Sequence, residues 1–128
     1  MTEKILIVED NAVNRKLVEV ILSKAGYAVL PAADAEQGIA LARSAHPDLI
    51  LMDIHLPGMD GLAATRLLKG ESATRGIPIM ALTALAMKGD EERILAAGCD
   101  AYLSKPIRHG ALLEAVARFL QAGGKADA

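Results

Sequence analysis

Apolar residues along this chain come in two patterns that alternate. Short unbroken runs, Ile5–Val8, Leu49–Met52 and Ile77–Leu82, contain no polar position. A run of this kind predicts a strand buried on both faces. Between the runs lie longer stretches in which apolar residues return every three or four positions, the period of an amphipathic helix. Strand and helix in regular succession predict an α/β fold: a doubly wound, five-stranded parallel sheet in the order 2-1-3-4-5, with five helices on its two faces.

The elements follow from this pattern and its punctuation. The first strand is predicted over Lys4–Val8 and the first helix over Ala12–Lys24, with Val13, Leu17, Val20 and Ile21 at helical spacing. Asn11 suits its N-cap, and Gly26 lies just past its end. The second strand, Tyr27–Ala32, contains Pro31 and is therefore placed at an edge. Asp34 caps a helix over Ala35–Ala45 with Ile39, Leu41 and Ala42 facing in, and His46-Pro47-Asp48 breaks the chain before a third strand, Leu49–Asp53. The turn-rich segment from Leu56 to Gly61 leads into a third helix over Gly61–Lys69. A fourth strand (Ile77–Leu82), fourth helix (Met87–Ala97), fifth strand (Ala101–Leu103) and fifth helix (Gly110–Ala122) complete one domain over residues 1–122. Residues 123–128 read as a flexible C-terminal tail.

Composition narrows the functional classes. With 128 residues, 52% hydrophobic and 23% charged, the chain can bury one sizeable core. A net charge of −2 and no Lys/Arg-rich block argue against direct nucleic-acid binding. With no Trp and a single Phe, an aromatic stacking site has little to build with. Cys99 is the only cysteine and reads as a small buried residue. No apolar stretch approaches the roughly 18 residues of a membrane span, and the first strand begins too early for a signal peptide. The expectation is a cytoplasmic protein without a membrane partner.

The chemistry lies at the strand ends. Glu9-Asp10 follow the first strand, Asp53 ends the third, Thr83 follows the fourth, and Lys105-Pro106 follow the fifth. In a parallel α/β sheet, functional groups gather at the carboxyl ends of the strands, at the switch point between strands one and three. Three carboxylates crowded there repel unless a divalent cation joins them. Mg2+ takes one or two carboxylates directly, keeps waters and meets a phosphate. Asp10 and Asp53 are expected as direct ligands, Glu9 through water, and the His55 backbone carbonyl as a further oxygen. Asp53, ionised at neutral pH, is the candidate phosphoryl acceptor and needs no general base. Lys105 and Thr83 are expected to hold two further phosphoryl oxygens. The sequence leaves the isomer of the Lys105-Pro106 bond open.

These residues sit in segments that resemble the receiver domain of two-component response regulators: Ile5–Asp10 (ILIVED), Pro47–Gly61 (PDLILMDIHLPGMDG), Pro78–Ala84 (PIMALTA) and Gly98–Pro106 (GCDAYLSKP). The resemblance runs from about Lys4 to Leu120 and implies the flavodoxin-like receiver fold. It also implies that Asp53 is phosphorylated by a phosphohistidine of a histidine kinase or histidine phosphotransfer protein. Thr83 matches the switch hydroxyl, Lys105 the site lysine and Tyr102 the switch aromatic. The face formed by the fourth helix, fifth strand and fifth helix would then meet a downstream protein target. The resemblance points to a single-domain phosphorylation-dependent switch that acts catalytically only on itself. His55 and Leu85 occupy the positions that tune self-dephosphorylation, and they suggest a slower rate than in fast-relaxing regulators.

The alternative is a receiver-like interaction module, or a receiver domain excised from a larger regulator or hybrid kinase. A flavodoxin-like electron carrier is disfavoured by the acidic loop after the first strand. An aspartyl-phosphate phosphatase is disfavoured because His55 stands where such enzymes often carry an acid.

Overall fold

The computed structural model describes residues 2–84 and 88–126. In chain order its elements are β1 (Lys4–Val8), α1 (Ala12–Lys24), β2 (Ala28–Ala32), α2 (Ala35–Ala45), β3 (Leu49–Asp53), α3 (Gly61–Gly70), β4 (Ile79–Thr83), α4 (Lys88–Ala96), β5 (Ala101–Ser104) and α5 (His109–Ala126). The strands form one five-stranded sheet in the order β2-β1-β3-β4-β5, every neighbouring pair parallel. This is the doubly wound α/β arrangement expected from the alternating pattern. β2 pairs with β1 alone, so Pro31 sits on an edge strand as its missing N–H requires.

Side chains of successive strand residues leave the sheet on opposite faces, and each face is roofed separately. Leu6, Val8, Ile50, Met52, Ile79 and Ala81 pack with Ile39 and Ala42 of α2, Leu62 and Leu68 of α3 and Ile94 of α4. Ile5, Ile7, Leu49, Leu51, Met80 and Leu82 pack with Val18, Ile21 and Leu22 of α1 and with Leu112 and Val116 of α5. A strand covered on both sides has no use for polar positions, which is why the runs are unbroken.

Several boundaries differ from expectation, each for a local reason. β2 begins at Ala28 because the Tyr27 N–H turns back to the Leu22 carbonyl (3.1 Å), closing the end of α1. β4 begins at Ile79 because the Ile77 N–H closes a turn onto Thr74 (3.0 Å), and it extends one residue further, to Thr83. α5 continues to Ala126 through Gly123-Gly124, beyond the expected end at Ala122. Glycine disfavours a helix by only about 1 kcal/mol per residue and does not forbid it.

The apolar face of α1 is the largest correction. Val13, Leu17 and Val20 are exposed at 76%, 49% and 37%, while Val18, Ile21 and Leu22 are buried. The helix carries two apolar rows, and the sheet takes the one that includes Val18 and Leu22. The expected helix caps form: Asn11 Oδ1 accepts the Asn14 N–H at 2.9 Å, and Asp34 Oδ1 accepts the Gln37 N–H at 2.8 Å. Cys99 is buried, as expected of a packing residue. No helix among the described residues is long and apolar enough to cross a membrane.

Candidate functional site

The register places the chemical residues on one edge of the sheet. Val8 lies opposite Met52, so Glu9 and Asp10 leave β1 beside Asp53, and Asp53 in turn pairs with Leu82, the residue before Thr83. Thr83 is opposite Ser104, and its carbonyl accepts the Lys105 N–H at 2.7 Å. Ligand atoms of Glu9, Asp10 and Asp53 all lie within 4.8 Å of one another. Glu9, Asp53 and Thr83 are buried, whereas Asp10 is exposed at the mouth.

Lys105 closes the group. Its Nζ donates to Glu9 Oε1 at 2.8 Å and to Asp53 Oδ2 at 3.0 Å. The Lys105-Pro106 bond, left open by the sequence, is cis. The second oxygen of Asp53 accepts the His55 N–H at 2.9 Å, and Glu9 Oε2 accepts the Asn11 N–H at 3.2 Å. Arg15 of α1, which the sequence reading did not single out, donates to the Glu9 carbonyl at 2.8 Å. Its only sequence signal was a cation within the first turns of the helix that follows the acidic pair. Tyr102 is exposed on β5, where the neighbouring Glu91 carboxylate of α4 pushes its hydroxyl above the ordinary value. His46 and His109 are surface residues, and Leu85 and Met87 lie outside the described residues.

Crowding separates the two buried acids electrostatically. Burial, then the hydrogen bond shared with Asp53, push the Glu9 carboxyl up from 4.5 to about 7, against the pull of Lys105. Burial also pushes Asp53 up, but hydrogen bonds to Glu9, the His55 amide and Lys105 outweigh it, and Asp53 ends below its ordinary value. Asp53 therefore carries the charge, and Glu9 gives up its proton only as pH rises through about 7. The same contacts hold the Lys105 ammonium above its ordinary value against its own burial.

The sign of the stability effect follows. A folded pKa raised above the unfolded one gives stability that is complete below the unfolded value and is lost as pH rises through the folded one. For Glu9 that window runs from 4.5 to about 7. Asp53, lowered, acts oppositely: its contribution is present above its unfolded pKa and is lost as pH falls. In metal-free buffer the protein is expected to lose up to about 3 kcal/mol of stability between about pH 5 and pH 8. Urea unfolding at the two pH values measures this, and Glu9→Gln should flatten the slope. An unchanged slope in the variant would remove Glu9 as its source.

Two clefts flank the acids. One, of about 410 Å3, includes Asp10, His55, Asp60 and Arg93 in its lining. The other, of about 420 Å3, includes Glu9, Leu17, Val18, Lys105 and Ile107. The donor set is wholly oxygen and anionic, which fits a hard divalent cation better than a soft one.

A parallel five-stranded sheet with an acidic crevice and a lysine at its carboxyl edge defines a class. Residues 5–117 match the model of the response regulator receiver domain, and the chain belongs to that family. It is a phosphorylation-dependent signalling switch of two-component systems. Among its relatives is the polar-differentiation response regulator DivK of Brucella ovis, 47% identical over 120 residues that cover 94% of this chain and 98% of that one. DivK of Brucella anthropi is 45% identical over the same shares. Among solved structures, a CheY-like receiver domain protein from Methanospirillum hungatei JF-1 aligns with a TM-score of 0.91 and 31% identity, covering 98% of this chain and 99% of that one. The receiver domain of a sensor histidine kinase from Pseudomonas aeruginosa PAO1 has a TM-score of 0.88 and 40% identity, covering 94% and 99%. That structure was solved with a magnesium ion coordinated in its active site cleft.

Proposed function

We propose that Asp53 is the phosphoryl acceptor of this switch and that Asp10, Asp53 and the His55 carbonyl hold Mg2+, with Glu9 acting through water. The observation that carries the reading is the placement of Asp53: a buried, ionised carboxylate held between Lys105 and the His55 amide, within 4.8 Å of two further acids. The magnesium-bearing P. aeruginosa relative supports the choice of metal. When bound, Mg2+ supplies charge neutralisation for the incoming phosphoryl group.

In the transfer, an Asp53 carboxylate oxygen forms a bond to phosphorus. The bond from phosphorus to the donor imidazole nitrogen breaks, and its electron pair stays on that nitrogen. Lys105 is placed to follow the developing charge and Thr83 to supply a hydroxyl, so the phosphorylated site draws both together. That closure favours one arrangement of the α4–β5–α5 face over another. Tyr102, exposed beside Glu91 of α4, is the residue on that face whose position reports the change.

The donor is a histidine kinase or a histidine phosphotransfer protein. Leu17, one of the exposed row Val13, Leu17 and Val20 on α1, lines the apolar cleft that also reaches Glu9 and Lys105. A helical partner seated there would bring its phosphohistidine to the acids. The target is a protein that reads the α4–β5–α5 face, and the chemistry of the chain is confined to its own Asp53.

Intact mass after incubation with acetyl phosphate tests the reading. A gain of one phosphoryl group, about 80 Da, is expected with Mg2+ and not with chelator. Equal uptake in chelator would remove the metal from the step. No uptake from acetyl phosphate or from a phosphohistidine protein would overturn the acceptor reading.

A further inference from the structure

The helix that follows the acidic pair opens with a charge of the wrong sign. Arg15 is the fourth residue of α1, in a first turn that holds no acid. The amino end of a helix carries partial positive charge and favours acids over cations. Helix stability therefore gives no reason for a guanidinium at this position.

The bonds that Arg15 makes give one. Its backbone N–H donates to the Asn11 carbonyl at 2.9 Å. Its half-buried side chain turns back, and Nη1 donates to the Glu9 carbonyl at 2.8 Å and lies 3.5 Å from the Asp10 carbonyl. Arg15 thus holds the residue on either side of Asp10. The Glu9 carbonyl belongs to the peptide that leads into Asp10, and a peptide unit is planar, so fixing its oxygen fixes its plane. A bond from an ionised donor fixes it more firmly than a neutral one would. Asp10 is exposed at the mouth of the crevice, so its side chain takes its direction from this backbone. That direction brings a carboxylate oxygen within 4.8 Å of ligand atoms of Glu9 and Asp53.

We propose that Arg15 is a positioning residue for Mg2+, which aims the Asp10 carboxylate at the metal by clamping the peptide that precedes it. The proposal rests on Asp10 being a metal ligand. Positioning and charge predict opposite signs. A cation beside a metal site repels the metal, so loss of the Arg15 charge alone would tighten Mg2+ binding. Loss of the clamp loosens a ligand, and removing a group that orients a metal ligand weakens binding by about 10- to 100-fold.

The test titrates Mg2+ into wild type, Arg15→Met, Arg15→Lys, Asp10→Ala and the double variant Arg15→Met with Asp10→Ala, following amide resonances without a phosphodonor. Arg15→Met is expected to bind Mg2+ about 10-fold more weakly. Arg15→Lys, which keeps a charged donor, should recover most of the loss. Labelling of Arg15→Met by acetyl phosphate should need correspondingly more Mg2+ to reach half its maximal rate. The maximal rate itself should stay within about twofold of wild type, because Arg15 touches no reacting atom. In the Asp10→Ala background Arg15→Met should make less than about a twofold further difference, since its effect passes through Asp10. Unchanged or tighter Mg2+ binding by Arg15→Met would overturn the proposal. So would an equal loss in the Asp10→Ala background or with Arg15→Lys, either of which would mark a general disturbance of α1. Undiminished Mg2+ affinity in Asp10→Ala would instead sink the reading of Asp10 as a ligand, and this proposal with it.

Discussion

Asp53→Asn is expected to take up no phosphoryl group and to remain folded. An amide is not a nucleophile under these conditions, so labelling with acetyl phosphate and Mg2+ should fall from a full phosphoryl gain to below detection in the intact mass. The fold survives because the contacts can be kept. An amide oxygen can still accept the His55 N–H, and Lys105 retains Glu9 as a partner at 2.8 Å. The substitution also removes the hydrogen bond and the repulsion that help push Glu9 up to about 7. The variant should therefore lose less stability than wild type between about pH 5 and pH 8 in metal-free buffer. Loss of uptake with a cooperative unfolding transition separates a chemical defect from an unfolded protein. Undiminished uptake would move the acceptor elsewhere, with Asp10 the first residue to examine.

Asp53 and its neighbours were legible because a parallel sheet converts a sequence pattern into a position. A polar residue at the end of a buried run must sit at the sheet edge, whatever its distance along the chain. Glu9, Asp10, Asp53, Thr83 and Lys105 all satisfy that rule, and the register brings them together. What depends on distances was not legible. No spacing reveals that the Glu9 carboxyl is pushed up to about 7, because that follows from burial and from the neighbouring Asp53. Nor did spacing choose between the two apolar rows of α1. Val13, Leu17 and Val20 keep helical period as well as Val18, Ile21 and Leu22 do, and only packing against Ile5 and Leu49 selects the second row. Tyr27 and Ile77 look like strand residues but spend their N–H groups closing turns. Arg15 binds a backbone carbonyl, a partner that leaves no trace in residue types.

Gly61→Ala should have the largest effect on stability of an alanine placed at Gly61, Gly38 or Gly70. Gly61 opens α3 directly after the N-cap Asp60, with its N–H on the Ile54 carbonyl at 3.3 Å and its carbonyl on the Thr65 hydroxyl at 2.8 Å. An added Cβ would overlap the Asp53 carbonyl oxygen and lie 2.7 Å from Ile54 Cα. Both neighbours are backbone, so neither can rotate aside. At Gly38 the nearest atom is Val8 Cγ2 at 2.6 Å, a side-chain methyl with some freedom to move. At Gly70, in the same helix as Gly61, an added Cβ meets nothing within 4 Å. Propensity alone would favour Ala over Gly by about 1 kcal/mol inside a helix. Gly70→Ala is thus expected to be neutral or mildly stabilising, Gly38→Ala to cost on the order of 1 kcal/mol, and Gly61→Ala to cost about 3 kcal/mol or more. The displaced backbone at Gly61 is that of Asp53 itself, so α3 must shift or the acceptor must. A shift of about 1 Å at a reacting group costs on the order of 100-fold in rate, and Gly61→Ala should therefore label slowly even where it is fully folded. Urea unfolding of the three alanine variants, with intact-mass labelling below the unfolding transition, measures both effects. Equal unfolding midpoints for Gly61→Ala and Gly70→Ala would show that α3 does not press on the end of β3, and would remove the helix as the buttress that holds Asp53 in place.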